Sequence, residues 1–79
     1  MFKQTAPDGK LNMAGKHIRA WRLSKDMSLR QMASFLELNG LDWDYQTLSR
    51  AERGIRIIND VEIKCLSEIL KVSLRKLLS

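Results

Sequence analysis

The residues best suited to chemistry lie between Tyr45 and Arg56. Tyr45, Gln46, Ser49, Arg50 and Arg53 recur at helical spacing on one face, opposite Leu48 and Ala51, and Arg56 follows shortly after. A glutamine amide can meet adenine N6 and N7 together, and an arginine can do the same with guanine O6 and N7. Gln46 and Arg50 are therefore candidate base readers, with Ser49 beside them. Tyr45 suits a thymine methyl or a phosphate, while Arg53 and Arg56, at and beyond the helix end, suit phosphates. On an arbitrary helix such a polar face is merely solvated. Three arginines within this short stretch, next to a basic first helix, favour a nucleic-acid surface.

Other reactive side chains support no competing chemistry. His17 and Cys65 are the only histidine and cysteine, too few for a zinc site of about four ligands at close spacing. Cys65 falls between Ile63 and Leu66 and reads as an inert buried thiol. His17, beside Lys16 and Arg19, reads as solvated or near a phosphate. Asp42 and Asp44 flank a turn and suit capping better than acid–base work. No nucleophile elbow or glycine-rich nucleotide loop is present, so an enzyme is not expected and no cofactor is implied. Trp21 and Trp43 read as packing rather than as platforms for single-stranded bases.

The elements that must hold these residues are helices, and four of their starts are written in the sequence. A start needs an acceptor side chain at the N-cap and an apolar pair clamped across it. Ser28 with Gln31 forms a capping box, stapled by Met27 and Met32. Asp44 caps the next helix, with Trp43 and Leu48 as its staple. Asn59 with Glu62 begins a fourth helix, stapled by Ile58 and Ile63, and Ser73 begins a fifth, stapled by Val72 and Leu77. The first helix has the weakest start, at Asn12, and runs to about Leu23 with Ala14, Ile18 and Trp21 inward. Inner faces follow as Leu29, Met32, Ala33 and Leu36, then Leu48, Ala51 and Glu52, then Ile63, Leu66, Ile69 and Leu70. Asn39-Gly40 and Gly54 supply left-handed stops. The expected fold class is all-α, a compact five-helix bundle over 13–79 preceded by an irregular arm over 1–12.

Length and charge agree with this reading. Seventy-nine residues allow one small domain, and 44% hydrophobic content in periodic runs argues against disorder. The net charge is +5. It concentrates at the front: Lys10, Lys16, Arg19, Arg22, Lys25 and Arg30 face a single acid, Asp26, whereas the stretch from Asp60 onward is nearly balanced. Lys16 and Arg30 thereby join the candidate phosphate contacts. One cysteine permits no internal disulfide and suits a reducing cytoplasm. No run approaches the roughly 20 apolar residues of a membrane span, so a cytoplasmic protein without a membrane partner is expected.

From about Gly15 to Leu78, roughly four-fifths of the chain, the sequence resembles the Cro/CI-like repressor DNA-binding domain, the xenobiotic-response-element family of bacterial and phage helix-turn-helix regulators. The resemblance lies in Ile18-Arg19-Ala20-Trp21-Arg22, in Met27-Ser28-Leu29-Arg30-Gln31-Met32-Ala33 and in Leu48-Ser49-Arg50-Ala51-Glu52-Arg53-Gly54. It extends through Leu66-Ser67-Glu68-Ile69-Leu70-Lys71-Val72-Ser73 to Leu78. It implies a lambda-repressor-like fold whose second and third helices form the helix-turn-helix and whose third enters the major groove. It also implies base reading by Tyr45, Gln46 and Arg50, phosphate contacts by Arg53 and Arg56, and a structural ion pair between Arg22 and Glu52 that removes Arg22 from the DNA footprint. Two departures stand out. Leu29 occupies the position where the family usually has a phosphate-touching glutamine. The turn from Leu38 to Asp44 is about five residues longer than the usual short turn, with Leu41 and Trp43 expected to pack back onto the domain.

The expected partner is double-stranded DNA, read as a palindrome by a homodimer, and the expected role is transcriptional regulation by repression. The dimer surface is expected around Leu74, Leu77 and Leu78, and no small-molecule effector is evident. The alternative is a protein-binding module or anti-repressor that keeps the fold without specific DNA binding. It rests on the missing glutamine and the long apolar turn, and would work through Leu41 and Trp43. Membrane-surface binding through the basic first helix is weaker, because that helix's apolar face is needed for the core.

Overall fold

Four of the helices begin where a side-chain oxygen takes up a free backbone N–H of the first turn. The computed structural model describes Gly9 and residues 11–79, so the greater part of the arm expected over 1–12 lies outside the described residues. Among the described residues there are five helices and no strand: α1 (Gly15–Ser24), α2 (Leu29–Leu38), α3 (Tyr45–Glu52), α4 (Asp60–Leu70) and α5 (Leu74–Leu77). Ser28, Asp44, Asn59 and Ser73 each accept from the N–H three residues on, and the Ser28–Gln31 and Asn59–Glu62 capping boxes are both closed.

The first helix starts later than the sequence suggests. Ala14, not Asn12, is its N-cap and makes no side-chain cap bond. Asn12 serves instead as a clamp. Its Oδ1 accepts from Gly15 N–H at 2.6 Å, while its amide donates to the carbonyls of Ala51 at 3.0 Å and Arg56 at 2.7 Å. Leu11 N–H adds a bond to the Gly54 carbonyl at 2.7 Å. The chain entering α1 is thus bonded to the chain leaving α3. Gly15 is required by that proximity: a Cβ there would run into the Ala51 carbonyl oxygen and come within 3.0 Å of the Glu52 carbonyl.

Stops are equally local. After α2, Gly40 at φ +101° lets Leu41 N–H donate to the Leu36 carbonyl and Gly40 N–H to Glu37. After α3, Gly54 at φ +75° does the same for Ile55 with Arg50 and for Gly54 with Ala51. Both patterns are Schellman closures, which satisfy carbonyls the helix leaves free.

The core collects Ala14, the N-cap of α1, with Ile18 of α1, Met32, Ala33 and Leu36 of α2, Leu48 and Ala51 of α3, Leu66 and Leu70 of α4 and Leu77 of α5. Leu41 and Trp43 join it, buried to 7% and 4% exposure. The lengthened turn therefore contributes core instead of projecting from it. Helix α3 packs on both α1 and α2, while α5 packs on α4 and α1. Trp21 and Phe35 stack at the core edge, ring centroids 5.7 Å apart, where Ile63, Ile69 and Cys65 are also half-buried.

Candidate nucleic-acid interface

Helix α3 can present a reading face only if its other side is fixed. Leu48 and Ala51 are fully buried, and Glu52 supplies a third anchor. The Arg22 guanidinium donates to Glu52 through Nε at 2.8 Å and Nη2 at 3.0 Å, and through Nη1 to the Met27 carbonyl at 2.9 Å. Each residue is 9% exposed. The hydrogen-bonded carboxylate raises the Arg22 pKa further above its already high value. One buried bidentate pair therefore joins α1 and α3, and the same guanidinium ties in the end of the α1–α2 link at Met27.

The opposite face carries the sequence-predicted set. Gln46 and Arg50 are exposed, Tyr45 is 36% exposed and Ser49 is half-buried. Arg30 reaches across from α2 and lies over the Tyr45 ring, Cζ 4.2 Å from the centroid. That stack orients both side chains at the N-terminal end of α3. At the other end Arg53 is exposed, with Nε near the Ser49 carbonyl at 3.4 Å. Lys16, exposed on α1, lines a groove with Ser49 and Arg53. Leu29, standing where the resemblance has glutamine, is half-buried and lines the same groove.

Two expectations are corrected. Arg56, expected at a phosphate, is committed elsewhere. It makes a bidentate pair with Glu62 at 3.0 and 2.8 Å and lies over the Trp43 ring, Cζ 4.8 Å from its centroid. Trp43 Nε1–H donates to the same carboxylate at 3.0 Å. Glu62 also accepts from Asn59 N–H as the capping-box partner. With Arg56 as the chief cause, its pKa falls to about 2, and the Arg56 pKa rises in response. The sequence disclosed only the capping role of Glu62. No periodicity marks its convergence with Arg56 and Trp43.

The second correction concerns the expected dimer surface. Leu77 is 1% exposed and belongs to the core, which leaves Leu74 and Leu78 accessible. The staple with Val72 already required Leu77 to face inward.

The remaining candidates have structural surroundings. His17 Nε2 lies 3.3 Å from both the carbonyl and the hydroxyl of Ser79. Asp44 is held below its usual pKa, first by the Thr47 backbone N–H that it caps. Among the described residues no three metal-ligating side chains converge, and no helix is long and apolar enough to cross a membrane. In comparisons with known proteins, no family model, no curated protein and no solved structure matches the chain.

Proposed function

We propose that this chain is a cytoplasmic, sequence-specific double-stranded DNA-binding regulator of the Cro/CI-like helix-turn-helix type, acting as a repressor, and not an enzyme. The observation that carries the reading is the two-sidedness of α3. One side is fixed by Leu48, Ala51 and the Arg22–Glu52 pair, and the other offers Gln46 and Arg50 outward. Cations stand at both ends, Arg30 over Tyr45 and Lys16 near Arg53. In this reading Gln46 and Arg50 contact bases, Tyr45 and Ser49 flank them, and Arg30, Arg53 and Lys16 meet phosphates. Arg22 and Arg56 hold the scaffold. Two copies would meet a palindrome with half-sites about 34–36 Å apart, through a surface that includes Leu74 and Leu78 but not Leu77.

Selection from a random duplex pool at two salt concentrations tests this. The expected result is an enriched palindrome whose affinity falls steeply with salt as phosphate counterions are released. Arg50→Ala should then cost about 1–3 kcal/mol and relax preference at one base pair per half-site. A pool that enriches nothing would favour the protein-binding alternative, which requires Arg50→Ala to be silent. Against that alternative, Leu41 and Trp43, the surface it needs, are buried.

A further inference from the structure

Beside α3 lies a groove of about 720 Å³, within the roughly 300–1,000 Å³ typical of small-ligand sites. Three stretches far apart in sequence build it: the approach to and first turns of α1, the first residue of α2, and the end of α3. This explains why no local motif announces it.

Its lining combines two chemistries. Met13, Leu29 and Ile55 supply an apolar wall, with Met13 and Ile55 still 38% and 52% exposed. Lys16, Arg19 and Arg53 supply charge. The one carboxylate in the lining, Glu52, is taken by Arg22. Among the described residues, neither of the two ion pairs involves Lys16, Arg19 or Arg53. Three cations thus converge on a concavity in which the described residues supply no available counter-charge. A solvated basic face would need no concave apolar wall. A purely apolar pocket would gain nothing from cations at its rim, where each must stay hydrated or find an anion.

We infer that this groove binds a small amphipathic anion, an aromatic or alkyl body bearing a carboxylate, sulfonate or phosphate, and that the occupied groove competes with DNA. The anionic head meets Arg19, Lys16 and Arg53, and the body covers Met13, Leu29 and Ile55. Competition follows because Ser49 and Arg53 belong to both surfaces, and this half of the inference rests on the proposed DNA-binding reading. A ligand there would make the protein a sensor as well as a DNA binder.

The probe is 1-anilinonaphthalene-8-sulfonate, titrated into the full chain and followed by backbone amide chemical shifts. Saturable shifts are expected at Gly15, Lys16, Arg19, Ser49 and Arg53 to Ile55, with a dissociation constant of roughly tens of micromolar for a ligand of this size. Arg19→Ser and Ile55→Asn should each weaken binding by about tenfold while leaving the thermal melt cooperative, since both side chains are exposed. Inorganic phosphate alone should bind at least tenfold more weakly than the sulfonate. Shifts spread across the core amides of Ile18, Leu48 and Leu66, or no saturation, would overturn the site. Equal binding of inorganic phosphate would overturn its amphipathic character.

With a selected duplex, the sulfonate should lower DNA affinity in wild type and have about tenfold less effect in Arg19→Ser. Unchanged affinity in wild type would overturn the competition. A chain that binds no duplex but shows the groove shifts would sink the DNA-binding reading and leave the ligand site established.

Discussion

Helix α3 is held near each end by an arginine–glutamate pair of the same chemistry in different surroundings. Toward its C-terminal end, Arg22 and Glu52 meet with side chains 11% and 4% exposed. Just before its N-terminus, Trp43 ties the long turn to the Arg56–Glu62 pair, whose side chains are 30% and 15% exposed. The first pair sits between helices that also share Leu48, Ala51 and Ile18 in the core. The second braces the long connection between α2 and α3 through Trp43. A buried pair costs most when half of it is removed, because the remaining charge is stranded without water. A rim pair is partly rescued by solvent. The two ends of α3 should therefore respond very differently to the same truncation.

The largest effect is expected from Glu52→Ala. Arg22 would keep only its bond to the Met27 carbonyl, and the loss should be about 3–5 kcal/mol, a large share of the stability of a small domain. Chemical denaturation measures it directly. Replacing both partners with methionine should recover most of the loss. If Glu52→Ala cost under about 1 kcal/mol, the buried pair would not be the anchor described above.

Gly15→Ala probes the same end by sterics instead of charge. The added methyl meets backbone, the Ala51 carbonyl oxygen, and no flexible side chain can yield. The position is helical and its φ is ordinary, so alanine's better helix propensity, about 1 kcal/mol, works in the opposite direction. Overpacking of this kind commonly costs about 1–3 kcal/mol. Net destabilisation in a thermal melt would show that close approach of α1 to α3 outweighs propensity here.

At the other end, pH separates the rim pair from everything else. The Glu62 pKa is lowered from 4.5 to about 2 by Arg56, Asn59 and Trp43. A carboxylate depressed in the folded state contributes stability above its unfolded pKa and loses it as pH falls through the folded one. That contribution, roughly 2–3 kcal/mol at neutral pH, should therefore fade between about pH 4.5 and pH 2. Glu62→Gln removes the titration, so its stability should be lower at pH 7 and flatter across that window. Asp44, also depressed, titrates in both proteins and cancels in the difference. Parallel pH profiles for the two proteins would show that the rim pair contributes no measurable stability.

The two ends also differ in how far the sequence revealed them. Caps, staples and stops could be read because each is encoded within about one helical turn: an acceptor at Ser28, Asp44, Asn59 or Ser73, and an apolar residue on either side. The Arg22–Glu52 pair is non-local, and only the resemblance indicated it. The Arg56–Glu62–Trp43 cluster is non-local: only Trp43 lies in the lengthened turn, and neither the position of Arg56 beyond α3 nor the resemblance pairs it with Glu62. Leu77 shows the reverse case: a local signal, its staple with Val72, places it in the core, which removes it from the surface that the apolar C-terminus suggests.

The smallest expected effect comes from a site remote from both ends, and this makes it the control. Lys71 closes α4 in the left-handed conformation, φ 57° and ψ 42°. Among the described residues Asp26, at φ 60° after α1, is the other non-glycine residue there, but a short polar side chain tolerates that region and lysine has no such compensation. The left-handed cost is about 1–2 kcal/mol, against which glycine adds about 0.5–1 kcal/mol of unfolded-chain entropy. Lys71→Gly should therefore stabilise by about 0.5–1 kcal/mol, raising the melting temperature by roughly 2–8 °C. Lys71 is exposed and lies between α4 and α5, so the proposed DNA-binding reading expects no change in duplex affinity. A melting temperature that did not rise would show that the left-handed lysine carries no measurable cost at this helix end.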